Sequence, residues 1–253
     1  HPAPVATAAF VAALAREGAS ERPRLRDGLG QAIASDAEAR ALFAAWATGA
    51  PPLSALASAA LALAGRAPTR DLVPPILVVA VSSAERFEDR WRLVRAAREV
   101  PSDPTIDTWL ASVAGHAEEW MLRAAAIEAL GHREAPDRSE VARAALADDY
   151  PRVRVEAIRL LDTLNAQDEA LSGMVRGDSW PMVRQAAIEA LFDRPHQRET
   201  LRAAIRDRSP RVRRAAIEAA TRAGDREAWP LVRARLEDGD EWPQVAIEAL
   251  RYV

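Results

Sequence analysis

One segment returns five times in the second half of this chain, and its period limits what the chain can fold into. The copies are AEEWMLRAAAIEALGH at 117–132, DDYPRVRVEAIRLLDT at 148–163, DSWPMVRQAAIEALFD at 178–193, DRSPRVRRAAIEAATR at 207–222 and DEWPQVAIEALRY at 240–252. Successive central isoleucines are 31, 30, 29 and 30 residues apart, at Ile127, Ile158, Ile188, Ile217 and Ile247. Such a period indicates stacked repeats, because one short unit cannot bury its own apolar face.

Each copy has the pattern of a helix that begins at a proline. Pro151, Pro181 and Pro210 stand three residues after an aspartate, and proline fits the first helical turn because its missing N–H needs no partner there. We expect the aspartate, or a serine, to cap the helix and to suit its dipole. Val, Ala, Ile and Leu at offsets 2, 5, 6, 7, 9 and 10 from the proline form one wide apolar stripe.

Shorter apolar segments lie between these helices, at 140–147, 167–175, 196–205 and 226–236. Each repeat is therefore predicted to be a helical hairpin of about 30 residues. The predicted fold class is all-α, an α-solenoid or superhelix of stacked antiparallel helical hairpins. The chain is rich in alanine and has only 11 glycines, which also favours helix.

The repeats resemble HEAT repeats, in particular the short bacterial type also found in phycobilisome lyases. The resemblance rests on segments such as DSWPMVRQAAIEAL and DRSPRVRRAAIEAA and covers about residues 105–253. It implies an armadillo-like solenoid in which the Asp and Arg of D-x-x-P-x-V-R pair within or between repeats as a structural ladder. Carried onto this chain, the ladder comprises Asp148, Asp178 and Asp207 with Arg123, Arg154, Arg184 and Arg213.

The domain organisation is predicted in two parts. Residues 101–253 hold five HEAT-like repeats, and residues 1–100 are a diverged helical half, interpreted as degenerate repeats continuous with the solenoid. Helices are predicted there near 4–17, 24–33, 36–48, 52–64, 73–82 and 84–99. A separate helical bundle is the alternative for this half, with 100–105 as the one plausible boundary between the two parts.

Composition excludes several classes of function. There is no cysteine and no lysine, so thiolate sites, Schiff-base lysines and P-loop lysines are absent. The net charge of -3 predicts no broad attraction to nucleic acid or to anionic membranes, and no apolar run is long enough to span a bilayer. Because the chain starts at His1, it is interpreted as a processed chain or an excised piece. A cytoplasmic location is slightly favoured over a secreted one.

The sequence predicts no catalytic, metal or cofactor site. His116 and His132 flank one repeat helix, too far apart to share a metal ion, and HAEE at 116–119 has no repeated counterpart that could complete a di-iron site. There is no G-x-S-x-G motif and no glycine-rich phosphate loop. Most tryptophans are interpreted as packing between repeats, and any that is exposed would be a natural binding hot spot.

A binding surface can still be predicted from the repeat register. Offsets 1, 4 and 8 from the proline avoid the apolar stripe and share one helix face, which the HEAT resemblance places on the concave surface. This candidate strip comprises Arg152, Val155, Arg159, Met182, Gln185, Glu189, Arg211, Arg214, Glu218 and Gln244. In the last copy Ile247 follows Pro243 by only four residues, which indicates a missing helical turn. The strip is therefore aligned there on Ile247, which adds Glu241 and Glu248. Its mixed charge favours a protein or peptide partner over nucleic acid.

Three hypotheses about function follow. The first is a non-enzymatic scaffold that binds a protein or peptide segment on its concave surface. The second, suggested by the resemblance alone, is a bilin lyase or isomerase-like protein. The third is a helical accessory domain of a larger enzyme. The oligomeric state is not predicted.

Overall fold

The fold is helical throughout the part of the chain that the computed structural model describes, which is residue 9 and residues 23–49, 51–64, 67–166 and 168–253. No strand occurs in these residues. They form fifteen α-helices and three short 3-10 helices, which confirms the predicted all-α class. The helix predicted at 4–17 lies outside the described residues, except for Ala9.

The chain divides into two compact units, residues 1–138 and 139–253. The described α-helices of the first unit are α1 (Pro23–Ser35), α2 (Ala37–Thr48), α3 (Leu53–Ala64), α4 (Val73–Val81), α5 (Phe87–Arg98), α6 (Pro104–His116) and α7 (Trp120–Gly131). A 3-10 helix, Ala67–Leu72, precedes α4. The helices predicted at 24–33, 36–48, 52–64, 73–82 and 84–99 correspond to α1–α5, with ends that differ by at most three residues. The predicted division near residue 100 stays a prediction.

The second unit continues the alternation of short and long helices. Its α-helices are α8 (Arg138–Ala145, which starts at the unit boundary), α9 (Pro151–Thr163), α10 (Asp168–Gly177), α11 (Pro181–Leu191), α12 (Arg198–Ala204), α13 (Pro210–Arg222), α14 (Trp229–Leu236) and α15 (Pro243–Tyr252). Two further 3-10 helices, Pro195–Gln197 and Arg226–Ala228, precede α12 and α14.

Alternate helices stack on one another in each unit. In the first, α1 packs on α3, α3 on α5 and α5 on α7, while α4 packs on α6 and α6 on α7. In the second, α9, α11, α13 and α15 pack in succession, α10 packs on α12, and α10, α12 and α14 each pack on the helix that follows. This two-layer stack of helical hairpins is the α-solenoid arrangement that the repeat period predicts.

The core of each repeat is the predicted apolar stripe. In α11, Val183, Ala187, Ile188 and Leu191 are all fully buried, and α13 buries Val212, Ala216 and Ile217 at the same offsets. Alanines at these helix contacts allow the backbones to approach closely. The helices are therefore held in a fixed register, which decides which offsets remain exposed.

The capping prediction was wrong in detail. The N-cap residue of α11 is Trp180, and its side chain makes no capping bond. Asp178 lies two residues before this N-cap, so its carboxylate accepts a hydrogen bond from the Trp180 N–H (2.8 Å) instead of from the first helical turn. Asp148 and Asp207 do the same for Tyr150 and Ser209. The aspartates thus fix the entry into each helix from outside it.

Candidate partner-binding face

An arginine–carboxylate ladder joins consecutive repeats of the second unit. Arg154 on α9 donates two hydrogen bonds to Asp178 in the next repeat, from Nε (2.8 Å) and Nη2 (3.0 Å). Arg184 on α11 binds Asp207 in the same way, at 2.8 Å and 2.7 Å. Such two-bond contacts fix geometry as well as adding energy. The ladder therefore sets how each repeat lies on its neighbour.

The third nitrogen of each ladder arginine ties its own repeat together. Nη1 of Arg154 donates to the carbonyl of Asp148 at 2.6 Å, and Nη1 of Arg184 donates to that of Asp178 at 2.8 Å. Arg123 in the first unit donates similarly to the Ala117 carbonyl at 2.7 Å. Each guanidinium thus satisfies carbonyls of the loop before its own helix, which removes the cost of burying them unpaired.

The last rung uses Glu241, which the sequence analysis placed on the exposed strip; that prediction was wrong, because its side chain is only 1% exposed and is paired with Arg213. Arg213 donates from Nε to Glu241 at 2.8 Å and also from Nη2. Glu241 accepts a hydrogen bond from the Trp242 N–H at 2.8 Å. It therefore takes the role of the motif aspartate from one position later in the chain, with a side chain one carbon longer. Burial alone would raise the pKa of Glu241, but the bonds from Arg213 and from the Trp242 N–H outweigh it and lower that pKa.

A second set of ion pairs joins helices to loops in the same unit. Arg202 on α12 binds Asp225 with Nε at 2.6 Å and Nη2 at 2.8 Å. Arg194 donates a hydrogen bond to Asp168 and lies 3.4 Å from Asp162. Burial raises the pKa of Asp162, although the hydrogen bond and the charge of Arg194 act in the opposite direction. No repeated motif marks these residues, so the period could not have identified them.

The candidate strip is mostly accessible. Arg152, Arg159, Glu189, Arg211, Arg214 and Gln244 are exposed, and Met182, Gln185 and Glu218 are half-buried. Val155 is the exception, because it is only 6% exposed. Offset 4 borders the apolar stripe, so a short valine is covered there, while a long arginine at the same offset extends past its neighbours into water. Val155 therefore belongs to the core.

The alignment of the last repeat on Ile247 was wrong. Ile247 is 52% exposed, whereas Glu248, placed on the exposed strip by that alignment, is buried. Val245 and Ala249 are buried at offsets 2 and 6 from Pro243, as in the other repeats. The repeat is thus in register with its proline, and no helical turn is missing. Gln244 keeps its place on the strip because it lies at offset 1.

The charges of the strip fall into two groups. Arg159 is paired with Glu156 (2.8 Å), Glu218 with Arg222 (2.7 Å), and the Gln185 amide donates to Glu189 (2.6 Å). In contrast, the side chains of the other three strip arginines make no hydrogen bond or ion pair in the described residues: Arg152, Arg211 and Arg214. The unpaired positive charge is thus concentrated in the first two turns of α9 and α13.

A shallow groove of about 120 Å³ runs between α11 and α13 on this face. It is lined by Ile188, Glu189 and Phe192 from α11 and its end, and by Ala215, Glu218, Ala219 and Arg222 from α13. The Arg222 guanidinium lies 5.2 Å from the centre of the Phe192 ring, a cation–π distance. The groove therefore offers apolar surface between fixed charges of both signs.

Aromatic side chains mark the ends of the same helices. Tyr150, Trp180 and Trp242 are the N-cap residues of α9, α11 and α15, and they are 47%, 51% and 59% exposed. The prediction that tryptophans mainly pack between repeats was wrong for Trp180 and Trp242. Both residues stand just before the first helical turn, outside the buried offsets of their helices. Exposed aromatics on a rigid backbone are typical binding hot spots.

Two kinds of feature are absent from the described part of the chain. It holds no group of three His, Asp or Glu side chains placed to bind a metal ion. None of its helices combines the length and the apolar character that a bilayer span requires.

Comparisons with known proteins agree with the repeat architecture. A crystal structure of an engineered protein, determined by the Northeast Structural Genomics Consortium, has a TM-score of 0.54 and 16% sequence identity to this chain, with 96% of this chain and 76% of that chain covered. At that identity the likeness concerns the fold alone. No curated protein matches the sequence. The family model of the HEAT repeats matches residues 106–192 and 168–251, which is more than half of the chain. The chain belongs to the HEAT-repeat family.

Proposed function

We propose that this protein is a non-enzymatic scaffold that binds an acidic protein or peptide segment on the exposed face of α9, α11 and α13. The observation that carries the proposal is the contrast between two sets of arginines. Those of the ladder are buried or half-buried in two-bond pairs, whereas Arg152, Arg211 and Arg214 are exposed and unpaired in the described residues. Three such charges are available to a carboxylate.

The position of these arginines favours an anionic partner further. Arg152 and Arg211 stand in the first turn of their helices, where the helix dipole disfavours a cation. A carboxylate from a partner would interact with the guanidinium and with the positive end of the helix together. Arginine also binds carboxylates through two parallel hydrogen bonds, which gives orientation as well as attraction.

Apolar anchors lie along the same helices. Met182 follows the exposed Trp180 by two residues, and the groove between α11 and α13 accepts a side chain against Phe192 and Ala215. Adaptable methionine and rigid aromatic rings are the residue types that carry most of the energy at small interfaces. The matching partner is an extended segment that combines acidic and apolar side chains.

The proposal can be tested by selecting random twelve-residue peptides displayed on phage against the purified chain. We expect the selected peptides to be enriched in Asp and Glu and to bind the triple variant R152E/R211E/R214E at least tenfold more weakly, since each lost charge-assisted bond is worth about 1.5–3 kcal/mol. The matched control R143E/R206E/R226E changes three exposed arginines that lie off this face. It should bind the peptides like the parent.

Thermal unfolding of both variants checks that the reversals leave the fold intact. Selected peptides without acidic enrichment, or equal losses in the two triple variants, would argue against the strip. A single-stranded oligonucleotide, measured in parallel at two salt concentrations, serves as the competing ligand. Binding of the oligonucleotide in preference to the peptides would overturn the assignment of a protein partner.

A further inference from the structure

A second groove lies in the first unit, on the face formed by α3, α5 and α7. It has a volume of about 300 Å³, the lower end of the range for small ligand sites. Leu61, Val94 and Ala125 give it an apolar lining. All of its residues belong to residues 1–138, so it is separate from the strip of the second unit.

One wall of this groove carries a free cation. Arg98 is held by Glu128 at 2.5 Å and by Glu99 at 3.7 Å, so these three charges largely satisfy one another. Arg95 lies one turn earlier on α5, is exposed, and forms no hydrogen bond or ion pair with the described residues. The groove therefore presents one uncommitted positive charge beside an apolar lining.

An aromatic ring stands next to that charge. Trp91 is half-buried in the groove and stacks on Phe87, with ring centroids 6.1 Å apart and planes inclined by 20°. The stacking limits the rotation of the indole, so binding a partner side chain costs little free energy for ordering the indole. Trp91 and Arg95 are four residues apart on one helix and thus face the groove together.

Several lining residues of this groove stand at the same helix positions as those of the groove between α11 and α13. Ala125 and Glu128 stand five and eight residues after Trp120, as Ala215 and Glu218 do after Pro210. On the preceding helix, Val94, Arg95 and Arg98 have the spacing of Ile188, Glu189 and Phe192. Arg95 thus takes the position of Glu189, so the groove of the first unit carries an unpaired cation where the other groove carries a carboxylate.

We propose that the groove of the first unit binds a peptide segment in which an acidic side chain stands beside a bulky apolar one. The carboxylate pairs with Arg95, and the apolar side chain packs on Trp91 and the lining residues Leu61 and Ala125. The cation alone would attract any anion, but the apolar lining selects for a neighbouring hydrophobic group. This site goes beyond the strip of the second unit, and either can fail without the other.

Nuclear magnetic resonance of the full chain labelled with ¹⁵N-tryptophan tests the site directly. The chain has seven tryptophans, and the indole signal of Trp91 is assigned from the variant W91F. The probes are blocked nine-residue peptides of Gly and Ser that carry one Phe and one Glu, separated by one to four residues. Each has a counterpart with Gln in place of Glu.

We expect at least one Phe–Glu peptide to shift the Trp91 signal to saturation and its Gln counterpart to bind about tenfold more weakly, as the loss of one charge-assisted bond implies. R95E should weaken the Phe–Glu peptide by a similar factor. The matched control R70E changes an exposed arginine of the same unit that is not part of the groove and should leave the shift unchanged.

Three results would overturn the proposal. Equal binding of the Glu and Gln peptides would show that Arg95 is not a carboxylate site. Shifts of Trp180 or Trp242 without a shift of Trp91 would place the peptide on the second unit. A shift of Trp91 by a twelve-nucleotide single strand but by none of the peptides would assign the groove to nucleic acid. R152E/R211E/R214E should still bind the peptide, which separates this test from that of the proposed function.

Discussion

Arg184 and Asp207 form a buried two-bond ion pair between consecutive repeats. The arginine side chain is 3% exposed and the aspartate 13%, and the guanidinium also donates to the carbonyl of Asp178. A pair removed from water to this degree is not by itself evidence of net stability, because desolvation offsets much of the attraction. Removing one of the two side chains, however, leaves the other as a buried charge without a partner.

The first prediction concerns that loss. Asp207→Ala should lower the free energy of unfolding by about 3–5 kcal/mol, the range for breaking a buried pair on one side. Arg176→Ala removes the exposed pair with Glu169 and should cost about 0–1 kcal/mol. Urea denaturation of the two variants measures the difference. Similar values for both would mean that the ladder does not couple the repeats.

The second prediction is a pH dependence centred on Glu241. Its pKa in the folded chain lies below the ordinary value of 4.5, because bonds from Arg213 and from the Trp242 N–H outweigh the effect of burial. A carboxylate whose pKa is lower in the folded chain than in the unfolded chain stabilises the fold at pH values above the unfolded pKa. This contribution is lost as the pH falls from 4.5 through the folded pKa. Stability should therefore fall with pH in this range.

Glu241→Gln isolates that effect. The unfolding free energies of parent and variant should differ clearly at pH 7, and the difference should shrink as the pH falls below 4.5. Glu237→Gln alters the exposed pair with Arg233 and should produce a difference under about 1 kcal/mol at both pH values. A gap between parent and E241Q that stays constant with pH would contradict the assignment.

The repeat period predicted the buried offsets well because they depend on one helix alone. Val183, Ile188 and Leu191 follow the helical period, so the sequence is enough to place them in the core. Exposure at the margin of the stripe depends instead on side-chain length, which is why Val155 is buried where Arg214 is exposed. The exposed Trp180 could have been found from its place before the proline, outside the helical period.

Contacts between distant residues were harder to predict. The pairing of Arg184 with Asp207 could be predicted because the HEAT resemblance links the two motifs. Glu241, however, replaces the aspartate of the last motif from a position one residue later. Only folding brings its longer side chain to the same arginine. The groove of Trp91 and Arg95 lies where the repeat motif has diverged, so no register identified it.

The third prediction tests the register of the last repeat. Ile188 is fully buried and Ile247 is 52% exposed, although the two share the local sequence AIEAL. Ile188→Ala should cost about 2–5 kcal/mol, whereas Ile247→Ala should stay within about 0.5 kcal/mol, as surface substitutions do. Denaturant unfolding of both variants decides the matter. A large loss for Ile247 would restore the alignment on isoleucine.

The fourth prediction follows from the contacts of Tyr252, which hold α15 against the rest of the second unit. Its ring stacks on Trp229, with centroids 6.2 Å apart and planes inclined by 2°, and its hydroxyl donates to the Asp225 carbonyl at 2.5 Å. Tyr252→Phe keeps the stacking and loses one hydrogen bond, so it should cost about 1 kcal/mol. Tyr252→Ala loses both contacts and should increase hydrogen exchange across α15 before other helices open.

The ionisation of Tyr252 supplies an independent check of the same contacts. Burial, together with the nearby Asp225 carboxylate, raises the pKa of Tyr252 above its ordinary value of 10.0, against the opposing effect of Arg202. The neutral hydroxyl therefore stabilises the fold fully below pH 10, and this contribution is lost as the pH rises through the folded pKa. In Tyr252→Phe that alkaline loss should be smaller than in the parent. An identical alkaline decline in both chains, measured by unfolding between pH 8 and pH 11, would show that the hydroxyl is free in solution.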